Sequence, residues 1–342
     1  MASQTLFIDI FSFNIRKIKN SYSVTTPSGA VGMRHTTEKE DVSFEKLFDA
    51  ISGESYEDKF KTFISEFIGN FNSQYVVNKD KGISMHPKHR VSIHSKKFFV
   101  WGEYSGGHTG REQRVYNRDD STLSDYTISK EKMVASPFFF LIWIPRDSNM
   151  GILILQRYSN MNCSVEFRKA IAQYFISKGF SPNWAGYVPR EICKKYLETC
   201  ALTAFRVQHS SPKEDDFEGT VFEGFKSDKG VSFTTTLTGL TLSFAKLLRT
   251  GKFAEDFKGF IGLIDQNYED GDSVEITYKN IDGISVKASL DSFDEIMPKI
   301  ALESDCFDEA TNTPNLDKIS LTAISFLDSI KKEIGYTKEF DS

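Results

Sequence analysis

Cysteine and proline are scarce in this chain, 4 and 9 of 342 residues, and the cysteine pattern narrows the chemistry first. Cys163, Cys193, Cys200 and Cys306 form no Cys-x-x-Cys pair and no Cys/His group with zinc spacing. A disulfide scaffold and a structural zinc site are thereby set aside, and buried thiols in a reducing compartment are expected. Long apolar runs are missing as well. The longest uncharged one, Phe138 to Ile144, falls far short of the ~20 residues that span a bilayer. Thr5 to Ile15 carries Asp9 and Asn14 where a secretion signal needs an unbroken apolar core. A cytoplasmic protein without membrane insertion is expected.

Signatures of nucleotide and hydrolase chemistry are also lacking. The stretch Ser105 to Arg111 (SGGHTGR) is rich in glycine and reads as a flexible loop, but it lacks the GxxxxGK[ST] spacing that cradles phosphates. No GxSxG elbow occurs. His86, His89, His94 and His108 cluster in sequence without the cysteine or carboxylate partners of a metal centre. They read as contributors to a basic surface. No cofactor is expected, and a role without catalysis is favoured.

What is present is a globular composition, 39% hydrophobic and 26% charged, with 30 phenylalanines that read as core rather than as a base-stacking surface. A strand is expected from Thr5 to Asn14, then a polar stretch with Pro27, Gly29 and Gly32. Ser43 is placed to cap a helix from Phe44, and Ser55 with Asp58 to open a second. Phe60, Phe63, Ile64, Phe67 and Ile68 give that second helix one apolar stripe. The strongest β signal is the pair Pro137 to Ile144 and Ile152 to Arg157. Its uninterrupted apolar runs suit strands covered on both faces. A helix is expected next from Ser164 to about Lys178 with Gly179 beyond its end, and another opens after Pro189.

The polar, acidic segment Ser210 to Glu218 is the expected domain boundary. Beyond it, a strand is expected at Val231 to Leu237, a helix near Leu242 to Leu248, and a hairpin from Val274 to Lys279 and Ile284 to Leu290. Asp291 is placed to cap a helix toward Leu302, and a closing helix runs from Leu316 to Ile334. The expected class is α+β. Residues 1–209 would form a basic antiparallel-sheet domain with flanking helices, and residues 210–342 a smaller acidic α+β domain.

Charge carries the functional reading. The net charge is −5, yet residues 81–210 hold 19 Lys/Arg against 10 Asp/Glu, and residues 251–310 hold 5 against 15. Lys88, Arg90, Lys96, Lys97, Arg111, Arg114 and Arg118 sit on or beside turns of the basic region, where they could neutralise the phosphate backbone of DNA or RNA. The acidic half could fold back on the basic one, dock a protein partner, or mimic nucleic acid. A competing reading is a metal-dependent nuclease built on Asp272, Glu275 and Lys279, or on Asp119 and Asp120 with Glu103.

The order of elements adds a resemblance. A basic β region precedes an apolar strand pair (SPFFFLIWIPRDSNMGILILQRYS) and a helix. A second domain then carries LSFAKLLRTGKFAEDF, SVEITYK and a closing helix. Across most of the chain this layout resembles that of the RexA-like proteins, which include the phage lambda protein and uncharacterised bacterial proteins found near phage-defence genes. The resemblance implies a DNA-binding sensor of anti-phage defence, acting as a homodimer through a separate effector.

Overall fold

In the computed structural model the described residues are 5–25, 31–73, 76–78, 80–85, 89–116, 124–209, 234–243, 258–262, 272–279, 285–289, 300–308, 311 and 313–336. The chain is an α+β protein whose sheets pair antiparallel. It divides into two compact units, Met1–Gly186 with Lys299–Ser342, and Tyr187–Pro298. No helix among the described residues is long and apolar enough to cross a membrane.

Unit 1 contains β1 (Leu6–Thr25), β2 (Val31–Val42), α1 (Phe44–Asp49), α2 (Tyr56–Ser73), β3 (Val76–Asn78), β4 (Lys81–Ser84), β5 (Val91–His94), β6 (Phe99–His108), β7 (Gln113–Tyr116), β8 (Ser124–Ile128), β9 (Val134–Trp143), β10 (Gly151–Tyr158), α3 (Ser164–Ser177) and β11 (Phe180–Gly186). Unit 2 contains α4 (Arg190–Glu198), β12 (Ala201–Gln208), β13 (Thr234–Ser243), β14 (Ser273–Lys279) and β15 (Ser285–Ser289). The chain then returns to unit 1 with β16 (Ile300–Ala301), β17 (Phe307–Asp308), β18 (Thr313–Pro314) and α5 (Leu316–Glu333).

The sheet of unit 1 runs β11-β1-β10-β9-β6-β4-β3, with β2 and β16 also on β1 and β5 on β6. The apolar hairpin lies at its centre, and Phe138 to Ile144 are all buried. Because side chains alternate across a strand, an uninterrupted apolar run needs cover on two sides, and both are filled. On one face Tyr104 and Phe140 meet Phe167 of α3, with ring centroids 4.6 and 5.1 Å apart, and Phe13 meets Phe44 and Phe175. On the other, Lys331 of α5 lies over Phe99 and Trp143, and Tyr336 packs edge-on against Trp143.

The helices largely obey their sequence signals. The Ser55 hydroxyl accepts from the Asp58 amide and donates to its carboxylate at 2.6 Å, so the expected cap forms. Phe60, Phe63, Ile64 and Phe67 are buried on one face of α2. Ser43 stands at the N-cap of α1, but its side chain makes no capping bond. Cys163, rather than Ser164, occupies the N-cap position of α3. Gly179 and Gly335 come just after α3 and α5 at φ of 86° and 70°, the left-handed geometry that glycine tolerates best.

Three expectations change in unit 1. β1 does not stop at Asn14; it continues to Thr25, paired with β2 from Ile15↔Val42 to Thr25↔Val31. β11, with Pro182 and Trp184, is a strand that composition did not announce; it pairs with β1. The glycines at 106 and 107 lie inside β6 rather than in a flexible loop, because β4 and β9 flank them closely. A Cβ on Gly107 would fall 1.8 Å from the Val134 carbonyl oxygen, and one on Gly106 2.9 Å from Cys163 Sγ.

In unit 2 the sheet order is β13-β12-β14-β15. Its core is Cys200, Leu202, Phe205, Val207, Ile261, Val274, Ile276 and Tyr278. The expected hairpin forms as β14 paired with β15. Residues 300–301 are strand rather than helix; the remainder of the helix expected from Asp291, and that expected at Leu242 to Leu248 past Ser243, lies outside the described residues.

The unit boundary falls at Tyr187 rather than at Ser210. β12 is an inner strand of the second sheet, hydrogen-bonded to β13 and β14, so it belongs with those later strands. The acidic segment 210–218 lies in the connection between β12 and β13, outside the described residues. The C-terminal helix belongs to unit 1, because its apolar stripe of Ile319, Ala323, Leu327 and Ile330 is buried there.

Candidate nucleic-acid interface and polar clusters

Sheet register sends Lys96 and Lys97 to one end of unit 1 and Arg111 and Arg114 to the other. Phe11, Leu153, Ile142 and Val100 lie at one level across β1, β10, β9 and β6. Lys96 and Lys97 sit in the short 3-10 turn before β6, at the end of the sheet from which β1 runs on into its hairpin with β2. Arg111 and Arg114 come after the other end of β6, about 30 Å away at the usual rise of ten strand residues. Lys88 and Arg118 lie outside the described residues. The seven residues therefore do not form one patch.

Partners thin the set further. Arg90 is bonded to Asp317 at 2.6 Å and lies over the Trp101 ring. The Asp317 carboxylate raises the guanidinium pKa, and Arg90 in turn holds Asp317 below the usual carboxylate range. Arg111 faces Asp80 at 3.6 Å. Lys96, Lys97 and Arg114 are exposed, and no carboxylate partners them among the described residues.

The turn holding Lys96 and Lys97 is anchored. Phe98 adopts the left-handed conformation at φ 54°, uncommon for a bulky residue. Its ring is placed against Tyr56 and Phe60 of α2, with centroids 5.0 and 6.1 Å away. His94 stacks on Phe99 at 4.3 Å, and burial, with Lys97 adding to it, holds its imidazole pKa below the ordinary value.

The β1–β2 hairpin adds cations that the polar look of the segment concealed. From Ile10 to Thr37 the chain contains Arg16, Lys17, Lys19 and Arg34 and no Asp or Glu. Arg16 pairs with Asp41 at 2.9 Å and Lys19 lies 3.9 Å from Glu38. Lys17 and Arg34 are exposed and lack a carboxylate partner among the described residues. β1 and β6 are three strand spacings apart, about 14 Å. Lys17 and the Lys96–Lys97 turn therefore share one end of the sheet.

The first nuclease set does not assemble. Asp272, just before β14, and Val274 within it share the buried side, whereas Glu275 faces away and bonds Lys287 at 2.8 Å. Lys279 lies four residues from Glu275, about 13 Å along the strand. Asp119 and Asp120 lie outside the described residues. Glu103 and Ser105 both approach His89 Nε2, at 3.8 and 3.2 Å, so the imidazole does not relay between them. No group of three or more metal-ligating side chains occurs among the described residues.

Two clusters emerge only in three dimensions. In unit 1, Asp9 bonds Arg157 at 2.9 Å and Asn162 at 3.3 Å, and Lys81 donates to the Asn162 carbonyl. Nearby, burial pushes the Cys163 thiol up to about 12 and Tyr104 well above its ordinary value, so both stay protonated. In unit 2, His209 Nδ1 lies 2.8 Å from Asp272 Oδ2, and Nε2 lies 3.3 Å from Thr235 Oγ1. His209 sits just past β12, Thr235 near the start of β13, and Asp272 just before β14. Since 26 and 63 residues separate His209 from its partners, only strand pairing brings them together. No linear motif marks them.

With this geometry in hand, comparison with known proteins adds no relative: no family model, no curated protein and no solved structure matches the chain.

Proposed function

We propose that this protein binds the phosphate backbone of nucleic acid with the hairpin end of unit 1, and serves in the cytoplasm as a sensor or regulator in anti-phage defence. The observation that carries the binding is the gathering of Lys17, Lys96 and Lys97 at one end of a rigid sheet, beside a two-stranded ribbon whose sequence is free of acidic residues from Ile10 to Thr37. Cations held on a preorganised frame release counterions from phosphates at little entropic cost. An antiparallel ribbon has the width to enter a major groove. The defence role rests on the RexA-like layout alone.

Fluorescence anisotropy with labelled duplex DNA, single-stranded DNA and RNA tests this reading. Replacing Lys17, Arg34, Lys96 and Lys97 by Glu is expected to weaken binding at least about 100-fold at low salt. Replacing Arg111 and Arg114 by Glu is expected to leave most of it. Equal losses in both variants would remove the hairpin end as the site, and no binding by wild type would end the proposal.

A further inference from the structure

We propose that unit 2 holds a nucleophile of the acyl-transfer type: Thr235, activated by His209 as general base, with Asp272 as the positioning residue. Asp272 is buried, with 3% of its side chain exposed, and its carboxylate accepts from His209 Nδ1 at 2.8 Å. A proton held on Nδ1 leaves Nε2 as an acceptor, and the Thr235 hydroxyl stands 3.3 Å from it, the loose hydroxyl–base distance typical before substrate binds. Carboxylate on one ring nitrogen and hydroxyl on the other is the arrangement that lets an imidazole take the hydroxyl proton while the carboxylate stabilises the imidazolium.

Placement favours chemistry at the surface. His209 and Asp272 sit at the end of the sheet, one residue past β12 and one before β14, and Thr235 is half-buried. The Asp272 carboxylate already holds a negative charge against the imidazole, which disfavours a phosphodiester and favours an uncharged carboxylic ester. In the reaction Thr235 Oγ1 bonds to the ester carbonyl carbon as its proton passes to His209 Nε2. The tetrahedral adduct then expels the alcohol, which takes that proton. Water hydrolyses the acyl-threonine, His209 again accepting a proton and returning it to Oγ1.

The full-length protein is treated with an uncharged alkyl fluorophosphonate, which forms an Oγ1–P bond and releases fluoride, and with p-nitrophenyl acetate. The expected result is a single adduct mapped by mass spectrometry to Thr235. Its formation should be about 100-fold slower or worse in His209→Ala, abolished in Thr235→Val and retained in Thr235→Ser. Asp272→Asn should slow labelling and displace its pH profile, with Asp272→Glu recovering part of the rate; a purely structural carboxylate would move only the melting temperature. No adduct at Thr235, or labelling undiminished in folded His209→Ala, overturns the proposal. Should His209→Ala fail to fold by circular dichroism, wild type and Thr235→Ser decide: an adduct confined to that position supports it, and none overturns it.

Discussion

The two sheets of this chain bury their strands in different ways. β9 in unit 1 is covered on both faces, and consecutive residues such as Phe139 and Phe140 are both 0% exposed. β14 in unit 2 alternates, with Val274, Ile276 and Tyr278 buried, Glu275 and Thr277 between them partly exposed, and Ser273 and Lys279 at its ends exposed. A sheet sealed on both faces can present chemistry only at its ends and edges, and the candidate cations of unit 1 lie there. A sheet sealed on one face keeps a polar side, and the His209 cluster lies at the end of that sheet, on the buried side with Val207 and Val274. The difference is written in the strands themselves, as SPFFFLIW against SVEITYK.

Mutations can break this contrast. Phe139→Ala and Phe140→Ala are each expected to cost unit 1 about 3–5 kcal/mol. In unit 2, Ile276→Ala should cost about 2–5 kcal/mol and the neighbouring Thr277→Ala within about 0.5 kcal/mol. Urea unfolding separates the units, since Trp101, Trp143 and Trp184 all lie in unit 1 and their fluorescence reports on it alone. Amide exchange of β14 reports on unit 2. Equal costs at Ile276 and Thr277 would mean that the second sheet is covered on both sides.

Next in size is the Asp9–Arg157 pair, with side chains 19% and 15% exposed. Asp9→Ala leaves a largely buried guanidinium without its partner and should destabilise unit 1 by about 3 kcal/mol. Gly107→Ala should cost about 1–3 kcal/mol, because β6 must move away from Val134 to admit a methyl group. Both are read by the same tryptophan transition.

A smaller effect joins α2 to α3. Lys178, bonded to Glu66 at 2.6 Å, and Tyr174 hold the Glu66 carboxyl below its ordinary value. A depressed carboxyl stabilises the fold above the unfolded glutamate pKa, about 4.3, and loses that contribution as pH falls through the folded value. Glu66→Gln should therefore lower stability modestly at neutral pH and flatten its dependence on pH below about 4.3. The smallest effect is expected at the exposed Arg90–Asp317 pair, where Arg90→Ala should leave the melting temperature nearly unchanged at moderate salt.

Much of the framework was readable before the structure. The apolar hairpin, the stripe of α2, its Ser55 cap and the closing helix are dictated by periodicity and local hydrogen bonding. β2 and the outer half of β1 were hidden because Thr, Ser and Lys recur there without an apolar period, so the segment reads as a loop until its partner strand is known. β11 was hidden by Pro182, which removes a donor from a strand at the end of the sheet order. The glycines of β6 misled for a physical reason: glycine marks both flexible turns and the closest backbone approaches. Composition grouped Lys96 and Lys97 with Arg111 and Arg114, because proximity in sequence cannot show that a ten-residue strand lies between.

The salt dependence of binding tests the central claim most directly. Four cations lacking carboxylate partners among the described residues, Lys17, Arg34, Lys96 and Lys97, predict a slope of log Kobs against log salt of about −3.6 on duplex DNA if all four reach phosphates. Each single Glu replacement should remove about one unit of slope or more. A slope near zero, or one unchanged when Lys96 and Lys97 are both replaced, would contradict the assignment of the hairpin end as the nucleic-acid surface.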